Sequence, residues 1–224
     1  MKYEECVYNE ILKYQIGEPI FVADIIKAVA KKTGNAITKI KYIVPVMLNR
    51  IIKKQTILLK RYKNGIYYRF TKCMFGDTVI HKEILIEKKY LKKYDGYEIG
   101  PDLLNALGLT TLLSNNCRTI VSNLAKKRSF YDTDLNIKLL KPKTLITKEN
   151  LRYLQLLDVI ESVNNKILID NENPNIVYEK YINFYKLNFD YLFFYAVNFY
   201  NKNVINQVSE LFKNIKGGEH FAIT

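Results

Sequence analysis

Glycine, proline and cysteine are scarce in this sequence. Its 224 residues include 9 Gly and 5 Pro against 48% hydrophobic and 13% aromatic residues, so burial of apolar surface can offset the entropy of folding. This composition excludes an intrinsically disordered chain. The three cysteines, Cys6, Cys73 and Cys117, leave an unpaired thiol however they are joined, and no secretory apolar region is recognisable. These features predict a reduced, cytoplasmic, soluble protein.

Long apolar runs are missing as well. A helix that crosses a bilayer needs about 20 consecutive apolar residues. The most apolar stretch near the C-terminus, Leu192 to Val197, is bounded by Asp190 and Asn198 and is far too short. We therefore expect this stretch to belong to a protein core and expect no membrane partner.

Residues of common catalytic and metal centres are few. The two histidines, His81 and His220, lie in a polar helical segment and near the C-terminal end, and the cysteines lack CxxC spacing. No HExxH motif or glycine-rich phosphate loop occurs. Asp132 and Asp134 could form part of a nucleotidyltransferase-like metal site, but the Gly-Ser helix start and the third carboxylate are missing, which favours a loop. We expect no catalytic residue, no metal and no cofactor, and hence a protein that is not an enzyme.

Positive charge is concentrated in the N-terminal third. The formal net charge is +13, and residues 1–72 hold fifteen Lys and Arg against five Asp and Glu, a net of +10. No acidic residue occurs between Asp24 and Asp77, a stretch with thirteen Lys and Arg. A lysine-rich proteome explains many lysines but not the local absence of acids. The asymmetry therefore favours nucleic acid as the partner.

Three helical patterns precede a β-hairpin in the first 75 residues. Apolar residues recur at helical spacing over residues 3–14, from Val22 to Thr33, and again after Asn35, a candidate N-cap. The third pattern contains Pro45, where the helix is either kinked or begins.

A β-hairpin is expected next, because two runs rich in aromatic and β-branched residues, 57–62 and 66–70, are joined through Asn64-Gly65. Asn-Gly between such runs predicts a type I′ turn, which needs a positive φ at both central positions. Three helices followed by a hairpin predict a winged helix-turn-helix DNA-binding domain over residues 1–75. The change of character at Phe75-Gly76-Asp77 marks its end.

Candidate DNA contacts lie on the third helix and the hairpin. Asn49 and Arg50 have the geometry to read bases, Asn bidentate to adenine and Arg bidentate to guanine, whereas the lysines are expected to bind phosphate. The alternative for Asn49 and Arg50 is a solvated helix surface. The full candidate set is Lys39, Lys41, Tyr42, Asn49, Arg50, Lys53, Lys54, Lys60, Arg61, Lys63 and Arg69.

Residues 76–224 are predicted to form a mixed α/β domain that ends in helices, so the whole chain is expected to be an α+β protein of two domains. Thr147 is a candidate cap for one of its helices. The predicted elements are helices over 79–94, 102–107 and 147–160, strands over 118–122, 135–140 and 166–169, and C-terminal helices near 174–187, 190–200 and 204–213.

Three segments match the pattern of one family. The run from Tyr97 to Thr111 reads YEIGPDLLNALGLTT, the run from Lys141 to Asp158 contains KPK, ITKEN and YLQLLD, and residues 64–68 read NGIYY. In their order along the chain, the three segments resemble those of AbiEi-type antitoxins of type IV toxin–antitoxin systems. The resemblance covers about residues 1 to 200.

That resemblance implies an N-terminal winged helix that binds inverted repeats in its own promoter and represses it. It also implies that residues 76–224 form an antitoxin domain, which neutralises a nucleotidyltransferase-like toxin without a stable complex. The chain departs from the family pattern at Pro45 and at Lys63-Asn64. Two alternatives come from other classes: an RNA-associated or nucleotide-modifying protein whose basic domain grips its substrate, and a protein-interaction module.

Overall fold

A computed structural model describes residues 3–92, 95–112, 117–164 and 170–219, with side chains up to residue 214. The fold is mixed α+β and ends in helices, as predicted. The chain divides into two compact units, Met1–Lys88 and Lys89–Thr224, which we call unit 1 and unit 2. The boundary predicted after residue 75 therefore lies inside unit 1.

Unit 1 combines helices with a three-stranded antiparallel sheet. Strand β3 lies between β1 and β2 in this sheet, and β4 and β5 form a separate short hairpin. A π-helical turn over Glu87–Leu91 follows the last helix, and the division between the units falls within it. The elements are α1 (Tyr3–Leu12), β1 (Pro19–Phe21), α2 (Val22–Thr33), α3 (Ile37–Lys54), β2 (Leu59–Lys63), β3 (Ile66–Arg69), β4 (Lys72–Cys73), β5 (Gly76–Asp77) and α4 (Lys82–Ile86).

One stripe of each long helix forms the core of unit 1. Helix α3 packs against both α1 and α2, and its apolar residues recur every three or four positions, as an amphipathic helix requires. Tyr67 of β3 closes the core from the sheet side. The buried helical residues are Val7 and Ile11 of α1, Ile25 and Val29 of α2, and Ile40, Val44, Leu48 and Ile51 of α3.

Helix α3 differs from its prediction at its start and at Pro45. The N-cap is Ala36, without a side-chain hydrogen bond, so the assignment of Asn35 as N-cap was wrong. The Asn35 amide instead donates to the carbonyl of Thr33 at 3.2 Å. The helix is continuous through Pro45 and so does not begin there, although proline removes the donor for the carbonyl of Lys41.

The hairpin between β2 and β3 turns at Asn64-Gly65, but not as a type I′ turn. Gly65 has a φ of +76°, whereas Asn64 is not among the residues with positive φ. The pairing shifts between Arg61 and Lys63, which leaves Tyr62 as an extra residue on β2. Such a bulge increases the local right-handed twist of the strands. A type I′ turn is otherwise favoured in hairpins because its backbone matches this twist.

Residues beyond the predicted boundary belong to unit 1 because of contacts near Gly17. The Gly17 carbonyl accepts a hydrogen bond from the His81 backbone at 2.8 Å, and Lys88 pairs with Glu18 at 2.5 Å. Gly17 has a φ of +79°, and a Cβ there would come within 2.6 Å of the His81 ring. These long-range contacts could not be anticipated from the local change of composition at Phe75.

Unit 2 is built on a four-stranded sheet covered by helices. The strand order is β6-β7-β9-β8, with β7 and β9 parallel and the other pairs antiparallel. Strands β6 and β8 were not predicted, and the predicted strand over 166–169 lies outside the described residues. The elements are β6 (Gly96–Ile99), α5 (Pro101–Ala106), β7 (Arg118–Ser122), β8 (Ser129–Asp132), β9 (Ile137–Leu140), α6 (Leu151–Asn164), α7 (Pro174–Tyr185), α8 (Phe189–Phe199) and α9 (Lys202–Glu219).

Helix α6 lies at the centre of unit 2 and packs against β6, α8 and α9. It begins at Leu151, four residues after Thr147, which the sequence predicted as its cap. Thr147 and Asn150 bond reciprocally in the turn that precedes the helix: the Thr147 backbone donates to the Asn150 side chain at 2.7 Å, and the Asn150 backbone donates to the Thr147 hydroxyl at 3.3 Å.

Helix α8 is less buried than expected. Leu192 and Ala196 are in the core, but Phe193, Phe194 and Val197 are 45 to 54% exposed, so the prediction of this whole stretch as core was wrong. The helical period places these three side chains on the side away from the buried pair. Among the described residues, no helix is both long and apolar enough to cross a membrane.

Candidate nucleic-acid interface

The outward side of α3 carries a row of exposed polar and apolar side chains. Spacing of three or four residues places them on one face of the helix, opposite the buried stripe. Tyr42 is 76% exposed and Val46, which the sequence did not single out, is 46% exposed. Lys41 is exposed on the flank of this row. The α3 face, as we use the term below, consists of Lys39, Tyr42, Val46, Asn49, Arg50 and Lys53.

The basic side chains of the α3 face form no ion pairs with the residues that the structure describes. Helix α3 contains no Asp or Glu. Unit 1 holds seventeen Lys and Arg against eight Asp and Glu, a net of +9, whereas unit 2 holds eighteen against fourteen, a net of +4. The surplus positive charge of unit 1 therefore includes the α3 face.

Several acids of unit 1 are engaged by lysines outside that face. Glu10 is buried and pairs with Lys13 at 2.8 Å and with Lys32 at 2.6 Å. Burial raises the pKa of Glu10, but the hydrogen bonds from the two lysines outweigh it and hold the pKa below its usual value. Glu10 is therefore engaged within unit 1 and is not available to neutralise the α3 face.

At the turn of the β2–β3 hairpin lie two further candidates. Arg61 is exposed, and its guanidinium donates to the Asn64 side chain at 2.9 Å. The Lys63 ammonium lies 5.8 Å from the centre of the Tyr62 ring. The turn itself is anchored, because the carbonyl of Gly65 accepts a hydrogen bond from the Val22 backbone at 2.9 Å. Both basic groups are thus presented from a fixed turn.

Three predicted contact residues make other interactions. Lys54 pairs with Glu4 at 2.6 Å, and Lys60 pairs with Asp77. The Arg69 guanidinium donates to the carbonyls of Leu12 and Tyr14 at 3.3 and 2.8 Å, which satisfies backbone acceptors at the end of α1. We therefore leave Lys54, Lys60 and Arg69 out of the proposed interface.

Unit 2 contains a buried polar cluster that the sequence did not indicate as a site. The carboxylate of Asp158 accepts hydrogen bonds from the Tyr97 hydroxyl at 2.6 Å and from the Tyr200 hydroxyl at 2.8 Å. Burial raises the pKa of Asp158, and the two hydroxyl bonds oppose this only in part. The cluster joins β6, α6 and the end of α8, so its evident effect is to fix these elements together.

A second polar group of α6 is satisfied in a similar way. The side-chain oxygen of Gln155 accepts from the Tyr181 hydroxyl at 2.8 Å and from Arg152 at 2.7 Å, and its amide donates to the carbonyl of Glu98 at 3.0 Å. Polar residues at core positions of an otherwise apolar helix were the signal in the sequence, since each needs a partner when buried.

Metal-binding chemistry has little support in the described part of the chain, where no group of three His, Cys, Asp or Glu side chains could hold an ion. The carboxylate of Asp132 accepts hydrogen bonds from the backbone of Asp134 at 3.2 Å and of Leu135 at 3.3 Å. This is the loop-forming role that the sequence favoured for the Asp-Thr-Asp segment.

Residues of the family resemblance in unit 2 mostly hold the fold together. Gly100 and Gly108 have φ values of +95° and +73°, Asn105 donates to the carbonyl of Thr110 at 3.1 Å, and Asp158 accepts from Tyr97. Comparison of the chain with family models, curated proteins and solved structures finds no match. The resemblance therefore rests on these residues and their order.

Proposed function

We propose that unit 1 is a winged helix-turn-helix domain that binds duplex DNA. Its element order, with three helices and with β3 between β1 and β2, supports this architecture. In the proposed complex the α3 face enters the major groove, and Arg61 and Lys63 meet phosphates beside it. Asn49 and Arg50 read base edges.

One observation carries the proposal: the α3 face presents Lys39, Arg50 and Lys53 to solvent on a helix without acids. A helix surface that only needs to be soluble gains more from mixed charges, because like charges repel one another. An unpaired row of one sign is stabilised when it meets a polyanion.

From the resemblance we further propose that the chain is a cytoplasmic repressor and antitoxin without catalytic activity of its own. Unit 1 would repress the chain's own promoter through inverted repeats, and the remainder would neutralise a nucleotidyltransferase-like toxin without a stable complex. The free state of Cys6, Cys73 and Cys117 is in keeping with a reducing compartment.

DNA binding is tested by fluorescence anisotropy with the full-length chain and a duplex from its own upstream region. The test variant Lys39→Ala/Arg50→Ala/Lys53→Ala should lose most of the affinity. A matched control, Lys126→Ala/Lys127→Ala/Arg128→Ala, removes the same three charges from an exposed loop of unit 2 and should bind nearly as the parent does. Equal losses of affinity in both variants would show that binding depends on net charge and not on the α3 face.

Antitoxicity is tested by growth. The gene beside this one is expressed from an inducible promoter in a heterologous host, with and without this chain. Rescue of growth by the parent and by the α3 triple variant alike would assign neutralisation to residues outside the α3 face. Absence of toxicity from the neighbouring gene product, or of rescue, would contradict the antitoxin proposal and leave DNA binding intact.

A further inference from the structure

The middle of the α3 face is apolar although both of its ends are basic. Tyr42 and Val46 lie one turn apart and are 76% and 46% exposed, with Lys39 before them and Lys53 after them. Isolated exposed apolar residues are ordinary on protein surfaces. Here, however, two of them occupy adjacent turns at the centre of a cationic row, so whatever covers the row must offer apolar groups between negative ones.

Dimensions favour the major groove as that surface. Lys39 and Lys53 are separated by about 21 Å along the helix axis at 1.5 Å per residue. The major groove is about 12 Å wide, so flexible lysines at the two ends of such a helix can reach the phosphates that border it. Residues midway between them then face the floor of the groove.

On that floor, the apolar group that the four base pairs expose is the C5 methyl of thymine. We propose that Tyr42 and Val46 contact thymine methyls, so that the site recognised by α3 is rich in A·T pairs. This inference rests on the proposed function. It agrees with Asn49, three residues after Val46 on the same face, because asparagine is suited to adenine and both groups then address A·T pairs.

The test replaces thymine by uracil, which removes the methyl and keeps every base-pairing group. Full-length protein is titrated by fluorescence anisotropy against alternating dA-dT and dA-dU duplexes of about 20 base pairs, two helical turns. Each buried methyl contributes about fourfold in affinity, which corresponds to ~0.8 kcal/mol per carbon group. Two methyl contacts should therefore make the dissociation constant of the parent about sixteenfold larger for the uracil duplex.

Variants assign this effect to the two side chains. Val46→Ala should reduce the thymine-to-uracil ratio to about fourfold, and Tyr42→Ala/Val46→Ala should abolish it, each by weakening binding to the thymine duplex. Alanine has a higher helix propensity than valine, so Val46→Ala preserves α3. Val79→Ala is the matched control, since Val79 is 73% exposed elsewhere in unit 1, and it should leave the ratio unchanged.

Four outcomes decide the matter. A ratio near sixteen that disappears in the double variant supports the inference. A ratio of one with salt-dependent binding to both duplexes overturns it while the proposed function stands. A ratio that persists in the double variant also overturns it, because the uracil duplex would then be discriminated by its shape. Absence of binding to either duplex, or tighter binding to an A-U RNA duplex of the same length, overturns both proposals.

Discussion

Helices α3 and α6 each form the centre of their unit, but they use their polar residues in opposite ways. Helix α3 spans 18 residues, buries a single stripe and turns its charged residues outward. Helix α6 spans 14 residues, eight of which are buried, and these eight include Gln155 and Asp158. An amphipathic helix leaves one face for solvent or a partner, whereas a helix that is buried all round has no such face.

The difference separates two kinds of polar residue. The charges of the α3 face add nothing to the core of unit 1 and are available for binding. Gln155 and Asp158 are satisfied by tyrosines and by Arg152, so they specify how the elements of unit 2 are assembled. Substitutions in the α3 face should therefore change binding and leave stability intact, and substitutions of buried polar residues in α6 should do the reverse.

The largest effect is expected for Asp158→Ala. This substitution leaves the Tyr97 hydroxyl buried without its acceptor and removes one of two acceptors of the Tyr200 hydroxyl, which keeps the carbonyl of Leu154 at 3.2 Å. The loss should destabilise unit 2 by about 2 to 4 kcal/mol. Hydrogen exchange of the full chain measures this as faster exchange of α6 amides. Asp158→Asn, which keeps an acceptor oxygen, serves as control and should cost less. Unchanged exchange in Asp158→Ala would show that the cluster does not stabilise unit 2.

Base reading is expected to be next in size. Arg50→Ala or Asn49→Ala should weaken binding to a preferred duplex by ~1 to 3 kcal/mol and relax sequence preference, if each side chain makes a bidentate base contact. Lys53→Ala should weaken binding to preferred and random duplexes by the same factor, because phosphates carry no sequence. Anisotropy titrations on both duplexes separate the two patterns. Parallel losses for Arg50→Ala would place Arg50 on phosphate.

Acid should affect the two units in opposite directions. The pKa of Glu10 lies below its usual value of 4.5, so the stability that its carboxylate gives unit 1 is present above that value and is lost as pH falls through the folded-state pKa. The pKa of Asp158 is raised above its usual value of 3.8, so the folded state favours the protonated carboxyl group. The stability that this form gives unit 2 is fully present below pH 3.8 and is lost as pH rises through the folded-state pKa.

These opposite signs are measured by hydrogen exchange, corrected for the intrinsic pH dependence of exchange, as pH is lowered from neutrality. Protection of α1 amides should fall below about pH 4.5, and Glu10→Gln should flatten that fall. Protection of α6 amides should increase in the parent protein as pH is lowered, and Asp158→Asn should abolish this increase. If α1 kept its protection throughout, the lysine pairs of Glu10 would not stabilise unit 1.

Salt dependence should show the smallest single-residue effect. With roughly four to six phosphate contacts, the slope of log binding constant against log salt should be about −4 to −5. Arg61→Ala should reduce its magnitude by about one, because a single phosphate contact is removed. Lys54→Ala, whose lysine is paired with Glu4, should leave the slope unchanged. A slope near zero for the parent chain would argue against any duplex interface.

The sequence was sufficient wherever a strong local period or a turn signal existed. Helices α1 to α3 and the three C-terminal helices lie where the apolar spacing predicted them, and the hairpin turns where Asn64-Gly65 predicted it. Strands β6 (GYEI) and β8 (SFYD) were missed because they lack the apolar run that identified the equally short β9 (IKLL). The prediction of Asn35 as the N-cap of α3 was wrong by one residue, because apolar spacing does not locate a helix end to the exact residue.

Features that depend on distant residues were beyond the sequence. Asp158 meets Tyr97 and Tyr200 only after the sheet and α8 have packed on α6, and the His81 contact that extends unit 1 depends on Gly17. In the candidate site, the row on α3 followed from helical spacing alone. The ion pair of Lys54 and the capping role of Arg69 did not, because their partners, Glu4 and the carbonyls of Leu12 and Tyr14, lie in or just after α1 and are distant in the sequence.

Unit 1 is a single continuous stretch that precedes unit 2, and this has a consequence for synthesis. Ribosomes add ~5–20 residues per second, so residues 89–224 take roughly 7–27 s to follow Lys88. Small α/β domains fold within milliseconds to seconds. The α3 face should thus be formed while unit 2 is still being translated, and the sheet of unit 2 must wait for α6 to α9 to cover it. A nascent chain can present one completed surface well before the other exists.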